Sequence, residues 1–212
     1  MLRLERETKR YHLGAKLAHF GTAFLDEFEI RDVAQPHLVR LRGLTHETTS
    51  LHIRIGSERT CIGQAVSLLP LRRVQDIGVL RPLYLGGAGA VLLAGLPNAE
   101  ATDYLNKVEP VPMTMRTLVD RKKLLARVDA VSRDGFFINN QESELGVMTV
   151  AVPVLDEARS VLAALVVSGP LPRWNRSRVM EMLPSIQGGA RDIAGDLAGQ
   201  GVSDLARRLE AG

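Results

Sequence analysis

The chain has 212 residues, of which 45% are hydrophobic and 24% are charged, and its mean hydropathy is +0.01. This composition excludes collagen-like, disordered and disulfide-rich proteins and is typical of one folded domain with extensions at its ends. The one cysteine, Cys61, excludes an intrachain disulfide and a cysteine-based zinc site. No apolar run reaches the roughly 18 residues of a membrane span. Because the charged start also lacks the apolar core of a signal peptide, we expect a cytoplasmic protein with no membrane partner.

The distribution of charge argues against DNA binding by this chain alone. Lysine and arginine number 27 and aspartate and glutamate 24, which gives a net charge of +3. The two signs are interspersed, and the densest basic stretches, residues 3–10 and 121–123, are only a few residues long. Such short stretches favour a solvated surface over a row of phosphate contacts. Aromatic residues make up 4% of the chain, which is too few for a sheet that stacks bases.

In its first half the chain predicts helices followed by a hairpin. Apolar residues recur at helical spacing over residues 13–28 and again over 32–44. Residues 47–55 alternate apolar and polar, which predicts a half-buried strand with His52 on the polar side. A turn and a second strand, reaching residue 69, complete an antiparallel hairpin. A loop is expected over residues 70–82.

The second half predicts two helices, three strands and a final helix. Four residues, Gly86-Gly87-Ala88-Gly89, open the first helix, and Pro97 closes it. Two strands, at residues 146–155 and 161–168, are apolar at nearly every position, which is typical of strands covered on both faces. The other elements are expected at residues 118–131, 135–141 and 175–197. This order predicts an α+β fold, an antiparallel sheet with helices on both faces.

The glycine-rich helix start is the sharpest candidate for ligand binding. Converging backbone N–H groups and the positive end of a helix dipole favour an anion there. It is neither a Walker A loop nor a dinucleotide fingerprint, and it could equally be a close-packed helix entry. Thr149 and Ser168 are hydroxyl residues inside apolar strands. Either they bond the backbone, or they share a cavity with Asn139 and the glycine-rich turn, which would form a small polar pocket in an apolar wall.

The sequence offers little support for catalysis or metal binding. The five histidines lie in the first quarter without a ligand-like spacing and are interpreted as surface or interface residues. A thiol inside a strand, such as Cys61, is ordinarily inert. No Gly-x-Ser-x-Gly elbow is present, and amides occupy residues 139–141, where carboxylates could have served as acid and base. We therefore expect no metal, no cofactor and no enzymatic activity.

Motifs spread over residues 11–198 resemble the C-terminal effector-binding domain of the isocitrate lyase regulator (IclR) family of bacterial transcription regulators. The motifs occur in the family's order and with its spacing. They are Tyr11-His12-Leu13-Gly14, Thr45-His46-Glu47-Thr48, Pro82-Leu83-Tyr84, Leu92-Leu93-Ala94, Arg133-Asp134-Gly135-Phe136, Ala151-Val152-Pro153-Val154 and Val167-Ser168-Gly169-Pro170.

The resemblance implies a GAF-like fold, a homodimer or homotetramer, and a pocket for a small metabolite, often an organic acid. It assigns Gly87 and Ala88 as amide donors to a ligand carboxylate and Asn139 and Thr149 as side-chain contacts. The family's pocket also falls on Ser168 and on Val166, where some members have a serine. Arg81 would add a positive charge if it turned inward, and would otherwise lie at the surface.

Three departures from the family pattern imply a less charged pocket that is poorly suited to metal. Ala90 replaces a lysine, Tyr84 replaces a histidine, and Thr149 stands where some members have a metal-capable thiol.

The resemblance also implies that the chain consists of three segments. Residues 1–12 are expected to be a linker remnant of a winged-helix DNA-binding domain that this chain lacks. Residues 13–198 are expected to form the effector-binding domain, and residues 199–212 a frayed tail. DNA would then be contacted only through the missing domain.

Two hypotheses follow for function. The first is a small-molecule sensing and oligomerisation domain of a DNA-binding transcription regulator. The second is a small GAF-like enzyme that acts on a metabolite. Redox chemistry on such a scaffold uses several cysteines, so the single Cys61 disfavours the second hypothesis.

Overall fold

The structure is a computed structural model that describes residues 2–5, 10–13 and 29–199. The helix predicted from residue 13 to residue 28 and the tail predicted for residues 199–212 lie almost wholly outside the described residues. Near the N-terminus, β1 (Leu2–Glu5) pairs antiparallel with β2 (Arg10–Leu13). The sequence pattern predicts no element there, because strands of four residues are too short to establish an apolar period.

A six-stranded antiparallel sheet forms the centre of the molecule. Its strands are β3 (Thr48–Ile55), β4 (Glu58–Ala65), β5 (Arg81–Pro82), β6 (Phe137–Asn140), β7 (Val147–Leu155) and β8 (Val161–Pro170). They lie in the order β5-β4-β3-β8-β7-β6. The predicted hairpin is confirmed as β3 and β4, although β4 ends at Ala65 and not at residue 69.

Five helices among the described residues cover this sheet, and local sequence explains where one of them begins and ends. The helix α4 (Arg121–Asp134) begins where the Asp120 side chain accepts a hydrogen bond from the backbone N–H of Lys123, and it ends at Gly135, whose φ of 72° suits glycine. The bounds are α1 (Glu29–Thr45), α2 (Gly86–Ala94), α3 (Asn98–Lys107), α4 (Arg121–Asp134) and α5 (Arg176–Gly199).

The helices pack in two layers, one on each face of the sheet. α1 and α5 cover one face with a core that includes Leu38, Leu165 and Trp174. α2, α3 and α4 cover the other face with a second core that includes Leu93 and Leu105. The predicted α+β, GAF-like architecture with helices on both faces is confirmed. No helix among the described residues is long and apolar enough to cross a bilayer.

Two predictions about single elements are wrong. α3 has no counterpart in the sequence prediction, since its ten residues bury only Ala101 and Leu105 and therefore present a weak apolar period. β3 was expected to be half-buried, but Thr48 to Ile53 are all buried. Helices lie on both faces of the sheet, so the polar side of this strand is covered as well.

Candidate functional site

A cavity of about 220 Å³ lies between strands of the sheet, the start of α2 and the loop residues 73–79 and 143–144. Five of the seven predicted site residues line it: Arg81, Ala88, Asn139, Thr149 and Val166. The other two, Gly87 and Ser168, do not line the cavity, but both lie against Thr149. Five predicted residues that are up to 85 positions apart in the sequence thus line one cavity, next to the apolar residues that the strands contribute.

The two predicted hydroxyl residues meet across neighbouring strands. Thr149 of β7 lies opposite Ser168 of β8 in the antiparallel register. Their hydroxyl oxygens are 3.0 Å apart, and Ser168 is fully buried. On the same face, Ala151 and Val166 belong to the apolar core under α2. The sheet surface therefore changes from apolar to polar where it enters the cavity, which is a typical arrangement for orienting a small ligand.

The N-terminus of α2 lies directly on β7. A Cβ atom on Gly87 would stand 3.1 Å from Cγ2 of Thr149 and 3.3 Å from Cβ of Ala151, so glycine permits the close approach. Gly86 begins the helix at a φ of +78°, a conformation that side chains other than glycine rarely adopt. Gly86, Gly87 and Ala88 are all buried, and no side chain caps this helix start. Buried first-turn N–H groups without a cap are suited to an anionic ligand.

Asn139 closes the end of the cavity near β6. Its Oδ1 accepts a hydrogen bond of 2.9 Å from the backbone N–H of Glu142, and its Nδ2 donates to Ser143 Oγ at 3.2 Å. The amide is therefore held in one orientation by the loop that follows β6. Its second Nδ2 hydrogen is the polar group that it can present to a ligand.

Three arginines line the same cavity: Arg59, Arg73 and Arg81. Arg73 Nε lies 3.0 Å from Glu144, and Arg81 Nη2 lies 3.2 Å from Asp76, so both are paired. The Arg81 side chain is 40% exposed and stands at the rim. The sequence pattern does not single out Arg59 and Arg73, because interspersed charges are typical of a solvated surface. The one feature of the sequence that could have identified Arg59 is its place two residues before Cys61, which puts both residues on one face of the strand.

His52 contradicts the interpretation of the histidines as surface residues, since it is only 2% exposed and lines the cavity. Burial, together with the nearby Arg59 and Arg73, holds the pKa of His52 well below its ordinary value of 6.5. Arg59 Nη1 is 3.3 Å from His52 Nδ1, and His52 Nε2 is 3.0 Å from Ser50 Oγ. Because an arginine can only donate, Nδ1 accepts and Nε2 carries the proton that it donates to Ser50.

The cysteine in the cavity wall is not an activated nucleophile. Cys61 lies in the wall, 2% exposed, and burial raises the pKa of its thiol to about 12. Its Sγ donates to the Gly63 carbonyl at 3.4 Å. The thiolate, which is the reactive form, is therefore disfavoured at neutral pH. Across the described ranges, no three histidine, cysteine, aspartate or glutamate side chains are grouped as metal ligands.

Comparisons with known proteins identify the family. The profile described as "Bacterial transcriptional regulator IclR C-terminal" matches residues 22–195. The HTH-type transcriptional repressor AllR of Salmonella paratyphi A is 30% identical over 184 residues, which are 87% of this chain and 68% of AllR.

Solved structures agree with this match. The IclR protein of Thermotoga maritima superposes with a TM-score of 0.80 at 29% identity, covering 92% of this chain and 79% of that chain. The inducer-binding domain of the PobR transcription factor from Acinetobacter, a double mutant in complex with 3-hydroxybenzoic acid, superposes with a TM-score of 0.70 at 27% identity. That match covers 77% of this chain and 97% of that chain. With most of its length matched by the family profile, the chain belongs to the IclR family of bacterial transcriptional regulators and contains the family's C-terminal domain.

Proposed function

We propose that this domain senses a small organic acid and transmits its presence to a second copy of the chain. The observation that carries the proposal is the cavity itself, which is lined by Ala88 of the uncapped helix start and by Thr149, the hydrogen-bond partner of Ser168. The acid's carboxylate would accept hydrogen bonds from the Gly87 and Ala88 amides. Its body would lie against the β7 and β8 side chains, with Val166 as an apolar contact.

The size of the cavity supports a small ligand. A cavity of about 150 Å³ is large enough to hold one benzene molecule. The 220 Å³ found here therefore has room for a single-ring acid or a short-chain keto acid. The PobR domain was solved with a single-ring acid, 3-hydroxybenzoic acid, which supports the same class of ligand for this chain.

Exposed apolar residues in segments 68–80 and 113–115, each of which also contributes a residue to the cavity wall, support the role in oligomerisation. We call them the apolar rim: Leu68, Leu71, Val74, Val79, Leu80, Met113 and Met115. Val79 and Met113 also line the cavity, so the rim adjoins the ligand. Apolar patches of this kind commonly mark protein interfaces. A ligand that contacts one arrangement of two copies better than another would shift their populations, with a coupling of about 1–3 kcal/mol. DNA would be contacted by a helix-turn-helix domain, as the name of AllR indicates for that protein.

Calorimetric titration with small keto acids and aromatic acids tests the sensing role. Thr149→Val removes a hydroxyl, and Ala88→Pro removes the amide N–H of the third residue of α2, which lies in the first helical turn. We expect each variant to bind an acid about tenfold more weakly, since one hydrogen bond to a charged group is lost. Thr102→Val in α3, outside the cavity wall, is the matched control and should bind as the wild type does. Equal affinity in all four proteins would place the ligand elsewhere.

The alternative of a GAF-like enzyme receives no support from the cavity. Its thiol has a raised pKa, and its histidine is held neutral by burial and the two neighbouring arginines. The named relatives are a repressor and transcription factors, which points to a regulator. Chemical change of a bound acid over hours, followed by NMR, would favour the enzyme instead.

A further inference from the structure

The charges around the cavity do not balance. Three guanidinium groups and two carboxylates line it: Arg59, Arg73, Arg81, Asp76 and Glu144. The ion pairs at the rim join Arg73 to Glu144 and Arg81 to Asp76. His52 adds no charge at neutral pH, because its pKa is lowered well below 6.5. One positive charge, that of Arg59, is left over.

Arg59 has only neutral hydrogen-bond partners among the residues that the structure describes. Its Nη1 donates to His52 Nδ1 at 3.3 Å, and its Nη2 donates to the Leu85 carbonyl at 3.2 Å. Its Nε is buried and has no partner. Burial lowers the pKa of Arg59 to about 10, so the side chain still carries its charge at neutral pH. Arg59 is half-buried, and a charge in such a position without a counter-ion is unfavourable, so a functional role commonly explains its presence.

The Arg59 guanidinium lies against the start of α2. Its Nη2 is 3.5 Å from the place where a Cβ of Gly86 would stand, and its Nε is 3.3 Å from the corresponding place at Gly89. The positive end of the helix dipole and a full positive charge therefore meet at the cavity. Two positive groups side by side repel each other unless an anion lies between them.

We propose that Arg59 binds the effector's carboxylate and thereby selects ligands with a single negative charge. This proposal rests on the proposed sensing function and adds a charge requirement to it. One carboxylate would compensate Arg59 and the helix start together. A second carboxylate would have no free cation and would lie near Asp76 and Glu144. His52, through its Nδ1, is the positioning residue that fixes the plane of the guanidinium.

The test compares single-ring ligands that differ in charge, with benzoate and benzamide as the pair matched in shape. Benzoate and 3-hydroxybenzoate carry one negative charge, benzamide carries none, and isophthalate carries two. By calorimetry, we expect the two monoanions to bind about 10- to 150-fold more tightly than benzamide or isophthalate, as for a hydrogen bond between charged groups. Arg59→Gln should lose the same factor for the monoanions. Arg54→Gln, on the neighbouring strand and outside the cavity wall, is the matched control and should bind like the wild type.

A second measurement separates a binding role from a structural one. Without ligand, Arg59→Met should melt at the wild-type temperature or above, because it removes a half-buried charge that has no counter-ion. A clear drop in melting temperature together with an unchanged benzoate affinity would instead assign Arg59 to the fold and overturn the proposal. Should Arg59→Met fail to fold, Arg59→Lys keeps the charge and loses the planar fork. That variant should still prefer benzoate to benzamide while binding it more weakly.

The failure of this proposal can be distinguished from the failure of the sensing function. Tight binding of benzamide, or unchanged benzoate affinity in Arg59→Gln, would overturn the role of Arg59 and leave the sensor intact. If none of the four compounds and none of the keto acids binds, both proposals are contradicted.

Discussion

Gly89→Ala is the substitution for which the structure gives the sharpest expectation. Gly89 lies in the first turns of α2, where the helix crosses the backbone near Leu83. A Cβ atom at this position would stand 2.3 Å from the Leu83 carbonyl oxygen and 2.9 Å from its carbonyl carbon. Ordinary contacts between carbon and a carbonyl oxygen are about 3.3 Å or longer. The helix would therefore have to move by about 1 Å, and a backbone obstacle cannot rotate away.

The expected cost follows from opposing effects. Overpacking of this kind destabilises a core by about 1–3 kcal/mol, and a clash with backbone belongs at the upper end. Alanine recovers about 0.5–1 kcal/mol over glycine inside a helix. The free energy of unfolding should thus fall by about 2 kcal/mol. For a domain of this size, that lowers the melting temperature by about 4–8 °C.

Chemical denaturation followed by circular dichroism, together with calorimetry, measures this change. Gly195→Ala in α5 is the matched control, because nothing lies within 4 Å of the added Cβ. It should raise the unfolding free energy by about 0.5–1 kcal/mol. If Gly89→Ala were as stable as the wild type, the close approach of α2 to Leu83, and with it the position of the helix start in the cavity, would be refuted.

Two further predictions concern the pH dependence of stability and self-association. The pKa of His52 in the folded protein lies below the unfolded value of 6.5, so the unfolded chain binds the proton first as the pH falls. The free energy of unfolding therefore decreases below about pH 6.5, by up to about 1.4 kcal/mol per pH unit. His52→Asn should remove that dependence in denaturation curves recorded from pH 7.5 to 5, and identical slopes in both proteins would contradict the buried, neutral imidazole. Leu68 and Met115 in the apolar rim are 83% and 91% exposed. Leu68→Asp and Met115→Asp should weaken self-association in sedimentation velocity, whereas Met180→Asp on α5 should not, and an unchanged distribution in all three would remove the rim from the interface.

Local patterns were sufficient for much of the fold. The strands β7 and β8 are apolar at nearly every position, which indicates a sheet covered on both faces, because a strand that is buried on both sides has no alternating polar residues. The glycine run marked the start of α2 because a positive φ and close packing both require glycine at particular positions. Thr149 and Ser168 were identified as exceptions within apolar strands, and the antiparallel register brings them to 3.0 Å.

The resemblance to the IclR family supplied what local patterns could not, namely a likeness over residues 11–198 and the position of Val166 in a pocket. The family itself is confirmed by the profile match over residues 22–195. The pocket assignment stays a prediction, although five of the seven residues that it named line one cavity.

Sequence alone thus determined the α+β class, most strands and the glycine-rich helix start, since each depends on residues within a few positions of one another. Only the tertiary structure decided which charges are buried. Arg59 and His52 look like ordinary polar positions of a hairpin, and they became part of a cavity wall because α2 packs over them. Whether an arginine has a counter-ion likewise depends on distant segments, as with Arg73 and Glu144, 71 positions apart. Charge balance depends on which residues are close in the folded protein and not on their order in the sequence. In this cavity it distinguishes Arg59 from Arg73 and Arg81, which are paired.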